Sequence, residues 1–332
     1  MKVLVTGGLG ANGAFVLREL LGRGVEPIVY DNRADFRLVS DIRDDFEFVD
    51  GEINDLARLT RILLERRVER VVHMAALIPP NSETDAMRGF RVNGLGSIQV
   101  FEAARIAGVQ RVVYISSRGV YGEVPAVNGH PRFELMTEED RPNPITVYDV
   151  TKVASERMGI NYQRQYGMEF VSFRFATNYG PGKLGRLGAA DHLSTQCVLI
   201  ENPLAGEPVR VPQGREQIED MIYNGDLAQA VALGVLTERL NHSVYNIGAG
   251  YGATLDDFAS AVRRVIPEAD IEIGDGLDYL GMGISYYCIF DIERARKDLG
   301  YEPRFDFEAG TRDYIATMER LGLEPVVTQW RS

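Results

Sequence analysis

The run MKVLVTGGLGANG, residues 1–13, decides the fold. Val3, Leu4 and Val5 form the short apolar stretch of a strand covered on both faces, and it breaks at once into a turn carrying Gly7, Gly10 and Gly13. Residues 14–22 then read as a helix. Strand, glycine turn and helix in that order let backbone N–H groups and a helix N-terminus approach a pyrophosphate with no side chain intervening. The next apolar run, EPIVYD, ends in Asp31, where a carboxylate would take adenosine ribose hydroxyls and repel a 2′-phosphate. The expected cofactor is NAD. Arg33 stays open between stacking on adenine, meeting a phosphate and lying solvated.

Outward from this unit, apolar runs alternate with amphipathic stretches: FEFVDG, ERVVHMAA, QRVVYISS and EFVSFRF, separated by helix-like segments at 56–65, 92–107 and 150–166. That alternation predicts an α/β protein of the Rossmann type, a doubly wound parallel sheet with helical crossovers. After about residue 180, glycine and proline punctuate shorter strand candidates at 209–211, 244–247 and 271–273, with helices at 192–201, 227–237, 255–265 and 309–321. The expected division is an NAD-binding region at 1–179, rejoined by 218–248, and a smaller C-terminal substrate-binding region at 180–217 and 249–332. The proline- and charge-rich loop 122–144 is the expected flap over a site.

Composition narrows the partners. A net charge of -12 argues against nucleic acid and against an anionic membrane as the main partner, since both are met through basic surfaces. No stretch has the roughly 20 apolar residues that span a bilayer. The N-terminal strand leaves no room for a secretory signal, so a cytoplasmic location is expected. Cys197 and Cys288 are too few for a disulfide framework, and His73, His130, His192 and His242 have no metal-ligand spacing, so no metal is expected.

In YDVTK, Tyr148 and Lys152 stand four apart, one turn along a helix face, where an ammonium would lower the phenol's pKa and make it a base nearer neutral pH. With TGGLGANG, VVHMAA at 71–76, the helix around Asn93, SSRGVYG at 116–122, RFATNYGPG at 174–182 and YNIGAG at 245–250, the chain resembles the extended short-chain dehydrogenase/reductase family of NAD-dependent epimerases and dehydratases. The resemblance implies that Gly7, Gly10, Ala11, Asn12 and Gly13 carry the dinucleotide phosphates, and Asp31 with Asn32 the adenosine ribose. It implies that Glu52 and Ile53 flank adenine, that Ala75 and Ala76 let the backbone approach the cofactor, and that Asn93 sits behind the site. Family members usually carry aspartate where Glu52 stands. Ser117 aligns as the catalytic hydroxyl, Tyr148 as the acid/base and Lys152 as the residue on the nicotinamide ribose, the last two thereby also contacting cofactor.

The subclass rests on the surrounding residues. A dehydratase of this family needs an acidic pair after the active hydroxyl, and Arg118 and Gly119 stand there instead. Nucleotide-sugar members usually hold the diphosphate with an arginine where this chain has Glu219; Arg210 or Arg215 would have to compensate, or the substrate carries no nucleotide. Ser116, Ser117, Arg118 and Asn178 are the expected substrate contacts. Arg174 is either a contact or a structural ion pair, and His192 and Cys197 are either extra acids and bases or packing. The leading expectation is an NAD-dependent epimerase of a sugar or sugar derivative. Its rival is a dehydrogenase of a free sugar, sugar acid or other small hydroxy compound that releases NADH, and a non-catalytic dinucleotide sensor is a third reading. The resemblance also implies a homodimer through helices 94–107 and 150–166.

Overall fold

The computed structural model describes residues 1–185 and 194–329. Its main sheet is parallel and seven-stranded: β1 (Lys2–Thr6), β2 (Glu26–Asp31), β3 (Glu47–Asp50), β4 (Arg70–His73), β5 (Arg111–Ile115), β6 (Glu169–Phe175) and, later in the chain, β11 (Val244–Ile247). Their spatial order is β11-β6-β5-β4-β1-β2-β3, so the chain reverses direction across the sheet between β1 and β4. That gap is the topological switch point where open α/β sheets bind ligands, at the carboxyl ends of the strands.

The strands read as continuous apolar runs because successive side chains feed two different cores. Val3, Val5, Val72, Val113 and Phe173 pack on one face, beneath α1 (Ala11–Gly22) and a later helix, α8 (Asn224–Leu236). Leu4, Val71, Val112, Tyr114 and Phe170 pack on the other, beneath α2 (Leu56–Arg66), α5 (Gly96–Ala107) and α6 (Val147–Tyr166). The short α3 (Asn81–Thr84) and α4 (Ala86–Phe90) precede α5, joined to it by one π-helical turn at Arg91–Leu95.

A third core lies under the rest of the chain. It gathers β7 (Thr177–Tyr179), α7 (Thr195–Leu204), β8 (Val209–Val211), β10 (Met221–Tyr223), α9 (Leu255–Val265), β13 (Ile271–Ile273) and α11 (Phe307–Leu321). The small pairings are β10 with β7 and β13 with β8, both parallel, and β12 (Ala253–Thr254) with β9 (Ile218–Glu219), antiparallel. Cys288, Phe290 and Ile292, with α10 (Glu293–Leu299), return to the first core, as do Ile222, α8 and β11. Loop 122–144 is pinned down: Met136 is fully buried, its N–H donates to Ile289 O at 2.7 Å and its carbonyl accepts from Asp291 N at 2.8 Å. Among the described residues no group of His, Cys, Asp or Glu could hold a metal ion, and no helix is long and apolar enough to cross a membrane.

Candidate active site

Gly7 leaves β1 with φ +71°, and a Cβ there would stand 2.8 Å from Cα of Ala75, so only glycine lets the turn close on the end of β4. Gly13 is equally constrained: a Cβ would lie 2.6 Å from the carbonyl oxygens of Gly7 and Gly8. Helix α1 therefore starts flush against the turn. Its N-cap, Gly10, supplies no side-chain cap and its first turn, including Ala11 and Asn12, holds no acid, which leaves the N–H groups and positive end of the helix for an anion. The Asn12 Oδ1 is buried without a hydrogen-bond partner among the described residues.

In front of this turn lies a crevice of about 640 Å³, lined by Gly7, Gly10, Asp31, Asn32, Glu52, Ile53, Ala75 and Ala76 among others. Asp31 is oriented by backbone amides, accepting from Leu9 N and Arg33 N, each at 3.2 Å. Asn32 donates to Glu52 at 3.3 Å, and Tyr30 OH holds the Glu52 carbonyl at 3.0 Å, so the far wall is tied to the end of β2. Ile53 is buried against Gly96. Arg33, Arg88 and Arg91 reach the same rim. Cradle, uncapped helix and ribose-height carboxylate fit a dinucleotide.

One layer deeper runs a polar chain that sequence reading missed. Thr6 Oγ1 accepts from Met74 N at 3.2 Å and Ala75 N at 3.3 Å, so its own proton points at His73 Nδ1, 2.7 Å away. His73 then donates from Nε2 to Ser97 Oγ at 2.9 Å, and Ser97 donates to Asn93 O at 2.5 Å. Both ends of the Asn93 amide are taken by the Leu77 main chain at 2.8 Å, so Asn93 shapes the loop after β4 rather than presenting its side chain to the crevice. The network fixes a neutral imidazole under the strand ends.

Ser117, Tyr148 and Lys152 meet one strand over from β4, beyond the end of β5. The Ser117 hydroxyl caps a short 3₁₀ turn, Arg118–Val120, by accepting from Gly119 N at 3.0 Å, and it stands near enough to the Tyr148 phenol to pull against the upward shift of its pKa. Tyr148 lies in the first turn of α6, which begins three residues earlier than the apolar spacing predicted, because Thr146 and Asp149 form a reciprocal capping box. Glu83 clamps the same helix end, accepting from Val147 N at 2.9 Å and Tyr148 N at 3.1 Å. Lys152 is buried, donates from Nζ to Ile115 O at 2.6 Å, and lies 5.3 Å from the Tyr148 ring centre.

Contrary to the expectation from their spacing, Lys152 does not lower the Tyr148 pKa among the chain's own groups. Burial pushes Tyr148 well above its ordinary value, with the Ser117 hydroxyl pulling the other way. Burial also pulls Lys152 down to about 7, against the Glu156 carboxylate. Desolvation disfavours each charged form and outweighs an ammonium that points at a carbonyl rather than at the phenolic oxygen. Ser117 and Tyr148 remain able to hold and exchange a proton with a hydroxyl placed between them. Beside them the Ser116 hydroxyl is buried with no hydrogen-bond partner among the described residues.

The remaining sequence candidates separate. Arg118 and Glu219, 101 residues apart, form a buried ion pair at 2.8 Å. Arg174 is a structural ion pair, bound to Glu156 at 3.0 and 2.7 Å and to Tyr121 OH at 2.9 Å. Asn178 is held through its carbonyl and side-chain oxygens by Lys183. Cys197 is buried with Sγ 3.6 Å from Gly180 O, and burial raises its thiol pKa. His192 lies outside the described residues.

A Rossmann crevice with a glycine cradle at the switch point defines a dinucleotide-dependent α/β enzyme. More specifically, the chain belongs to the NAD dependent epimerase/dehydratase family, whose model matches residues 3–248, and NAD is its cofactor. It is 28% identical over 320 residues to a UDP-glucose 4-epimerase of Lacticaseibacillus casei, covering 92% of this chain and 93% of the relative. Among solved structures it is similar to a Thermotoga maritima UDP-glucose 4-epimerase with UDP-glucose, with a TM-score of 0.81, 27% identity, and coverage of 96% of this chain and 99% of that one. A Thermus thermophilus UDP-glucose 4-epimerase in complex with NAD gives a TM-score of 0.78, 29% identity and the same coverages, 96% and 99%.

Proposed function

We propose that the protein is an NAD-dependent epimerase of a sugar or sugar derivative, acting by transient oxidation of a secondary alcohol. The observation that carries this reading is the meeting of Ser117, Tyr148 and Lys152 at the end of β5, beside a crevice built for a dinucleotide. Bound NAD supplies the hydride acceptor and, on return, the donor. Tyr148 in its phenolate form, which a bound nicotinamide cation would favour against burial, takes the hydroxyl proton as the carbon is oxidised and gives it back when the carbon is reduced. Ser117 keeps one hydrogen bond on the reacting oxygen in both its alcohol and carbonyl states. Lys152, anchored on Ile115 O, holds the floor of the site and the nicotinamide ribose. Gly7, Gly10 and Gly13 hold the pyrophosphate and Asp31 the adenosine ribose.

The test is turnover without net NADH. Purified protein should interconvert two sugars while absorbance at the reduced-nicotinamide band stays flat, and Tyr148→Phe should abolish the exchange while leaving NAD affinity within about threefold. Wild-type turnover by that variant would sink the assignment. A second reading, a dehydrogenase of a small hydroxy compound, is favoured by the Arg118–Glu219 pair and would show as stoichiometric NADH release. A homodimer through α5 and α6 is part of the same proposal: they expose Ile106, Val150 and Tyr166, and sedimentation velocity would show it.

A further inference from the structure

We infer that the Arg118–Glu219 pair is the specificity element of this site, selecting an uncharged, nucleotide-free sugar or polyol over one carrying a diphosphate or a carboxylate. The inference rests on the reading of Ser117 and Tyr148 as the reaction centre. Arg118 follows Ser117 directly, its guanidinium lies 4.3 Å from the Tyr286 ring centre and 5.5 Å from that of Tyr287, and Tyr286 is close enough to Tyr148 to push the phenol's pKa upward. The pair and its aromatic cover thus form a wall of the same site.

That wall is electrically neutral and locked. Arg118 is always charged, and Glu219 cancels it at 2.8 Å. Glu219 cannot swing aside, because Thr177 Oγ1 donates to it at 2.6 Å, Gln196 Nε2 at 3.2 Å, and Tyr279 OH also donates to it. An anion reaching for Arg118 must therefore share it with a fixed carboxylate inside a low-dielectric interior, where like charges repel strongly. Among the described residues, three cations of the C-terminal region are engaged elsewhere. Arg210 binds Asp270 at 2.6 Å and Glu272 at 3.1 Å; Arg215 holds Ile273 O and lies 3.2 Å from Asp275. Lys183 is spent on Asn178. Sugar hydroxyls, which donate and accept at once, match a fixed cation, fixed carboxylate and aromatic rings better than an anion does.

The experiment is isothermal titration of the full chain, with and without NAD, using UDP-glucose, dTDP-glucose, GDP-mannose and D-glucuronate as anionic probes. Wild type should bind none of them with a Kd below about 1 mM, and Glu219→Gln, which keeps the hydrogen-bonding shape but uncovers Arg118, should tighten at least one by about tenfold or more. A double Arg118→Met, Glu219→Met variant, neutral like the native pair, should gain nothing. Micromolar binding of any probe by wild type, or Glu219→Gln binding no tighter than wild type, overturns the inference. Should Glu219→Gln not fold, the wild-type titration decides alone. Failure of the underlying reading looks different: NAD would not bind, or Tyr148→Phe would turn over normally, whatever the anion titrations gave.

Discussion

His73 sits at 1% exposure between Thr6 and Ser97, and burial, helped by the Lys152 charge, holds its pKa down to about 3. Between that value and the ordinary one near 6.5, the unfolded chain binds a proton that the folded chain refuses. Stability from this residue is therefore complete above about pH 6.5 and declines by about 1.4 kcal/mol for each unit of pH below it. Asp220, which burial raises to about 7, titrates through the same range with the opposite sign, so the comparison must be between proteins. The stability advantage of wild type over His73→Gln should shrink by about 2 kcal/mol from pH 7 to pH 5 in urea unfolding. An advantage that stays constant would remove His73 from the titration. The residues legible in the sequence were those marked by a local pattern, such as the glycine turn after a strand, Asp31 at the end of the next strand, and the four-residue interval between Tyr148 and Lys152. His73 to Thr6, at 67 residues, and Arg118 to Glu219, at 101, carry no local pattern. Arg118 departed from the acidic pair of the dehydratases and Glu219 from the arginine of nucleotide-sugar members, yet nothing in either position says that they answer one another.

At the scale of elements, strands were legible to the residue where apolar runs met both cores: Glu26–Asp31, Glu169–Phe175 and Val244–Ile247 stand at the expected bounds. Helix starts were less legible, because polar caps look like loop. Helix α6 begins at Val147 rather than 150, and the predicted helix 92–107 opens as a π turn before α5 begins at Gly96. The Glu83 clamp on α6 arises 64 residues upstream. A carboxylate on two free N–H groups at a helix's positive end stabilises it by about 1–2 kcal/mol and here also sets the height of Tyr148. Glu83→Gln should lower the melting temperature by a few degrees and reduce kcat several-fold with NAD affinity nearly unchanged. Loss of NAD affinity with intact kcat would place Glu83 in the crevice instead.

Across the whole molecule, the two regions share residues rather than a linker. Phe15 and Leu323 pack against both the first core and the one under α7, α9 and α11. Arg304 joins Glu19 at 3.3 Å, and its backbone N–H donates to Asp226 at 2.7 Å. Such interleaving predicts one cooperative unfolding step, with far-ultraviolet circular dichroism and tyrosine fluorescence tracing the same denaturant curve; two separated transitions would show the regions to be independent. The sequence signalled a change of texture near residue 180 and the expectation that 218–248 rejoins the first region, but not that 288–301 returns to the same core, since chain order and spatial neighbourhood part company there.

The expected flap, loop 122–144, is fastened to the strip that carries Tyr286 and Tyr287. Val124 N donates to Ser285 O at 2.7 Å, and Met136 exchanges main-chain bonds with Ile289 and Asp291. A gate built this way has no free edge. A ligand that reached Ser117 from that side would require loop and strip to loosen as one body, in a single opening event. Amide hydrogens of Val124, Met136 and Asp291 should exchange with deuterium at one common rate, and occupancy of the site should slow all three together.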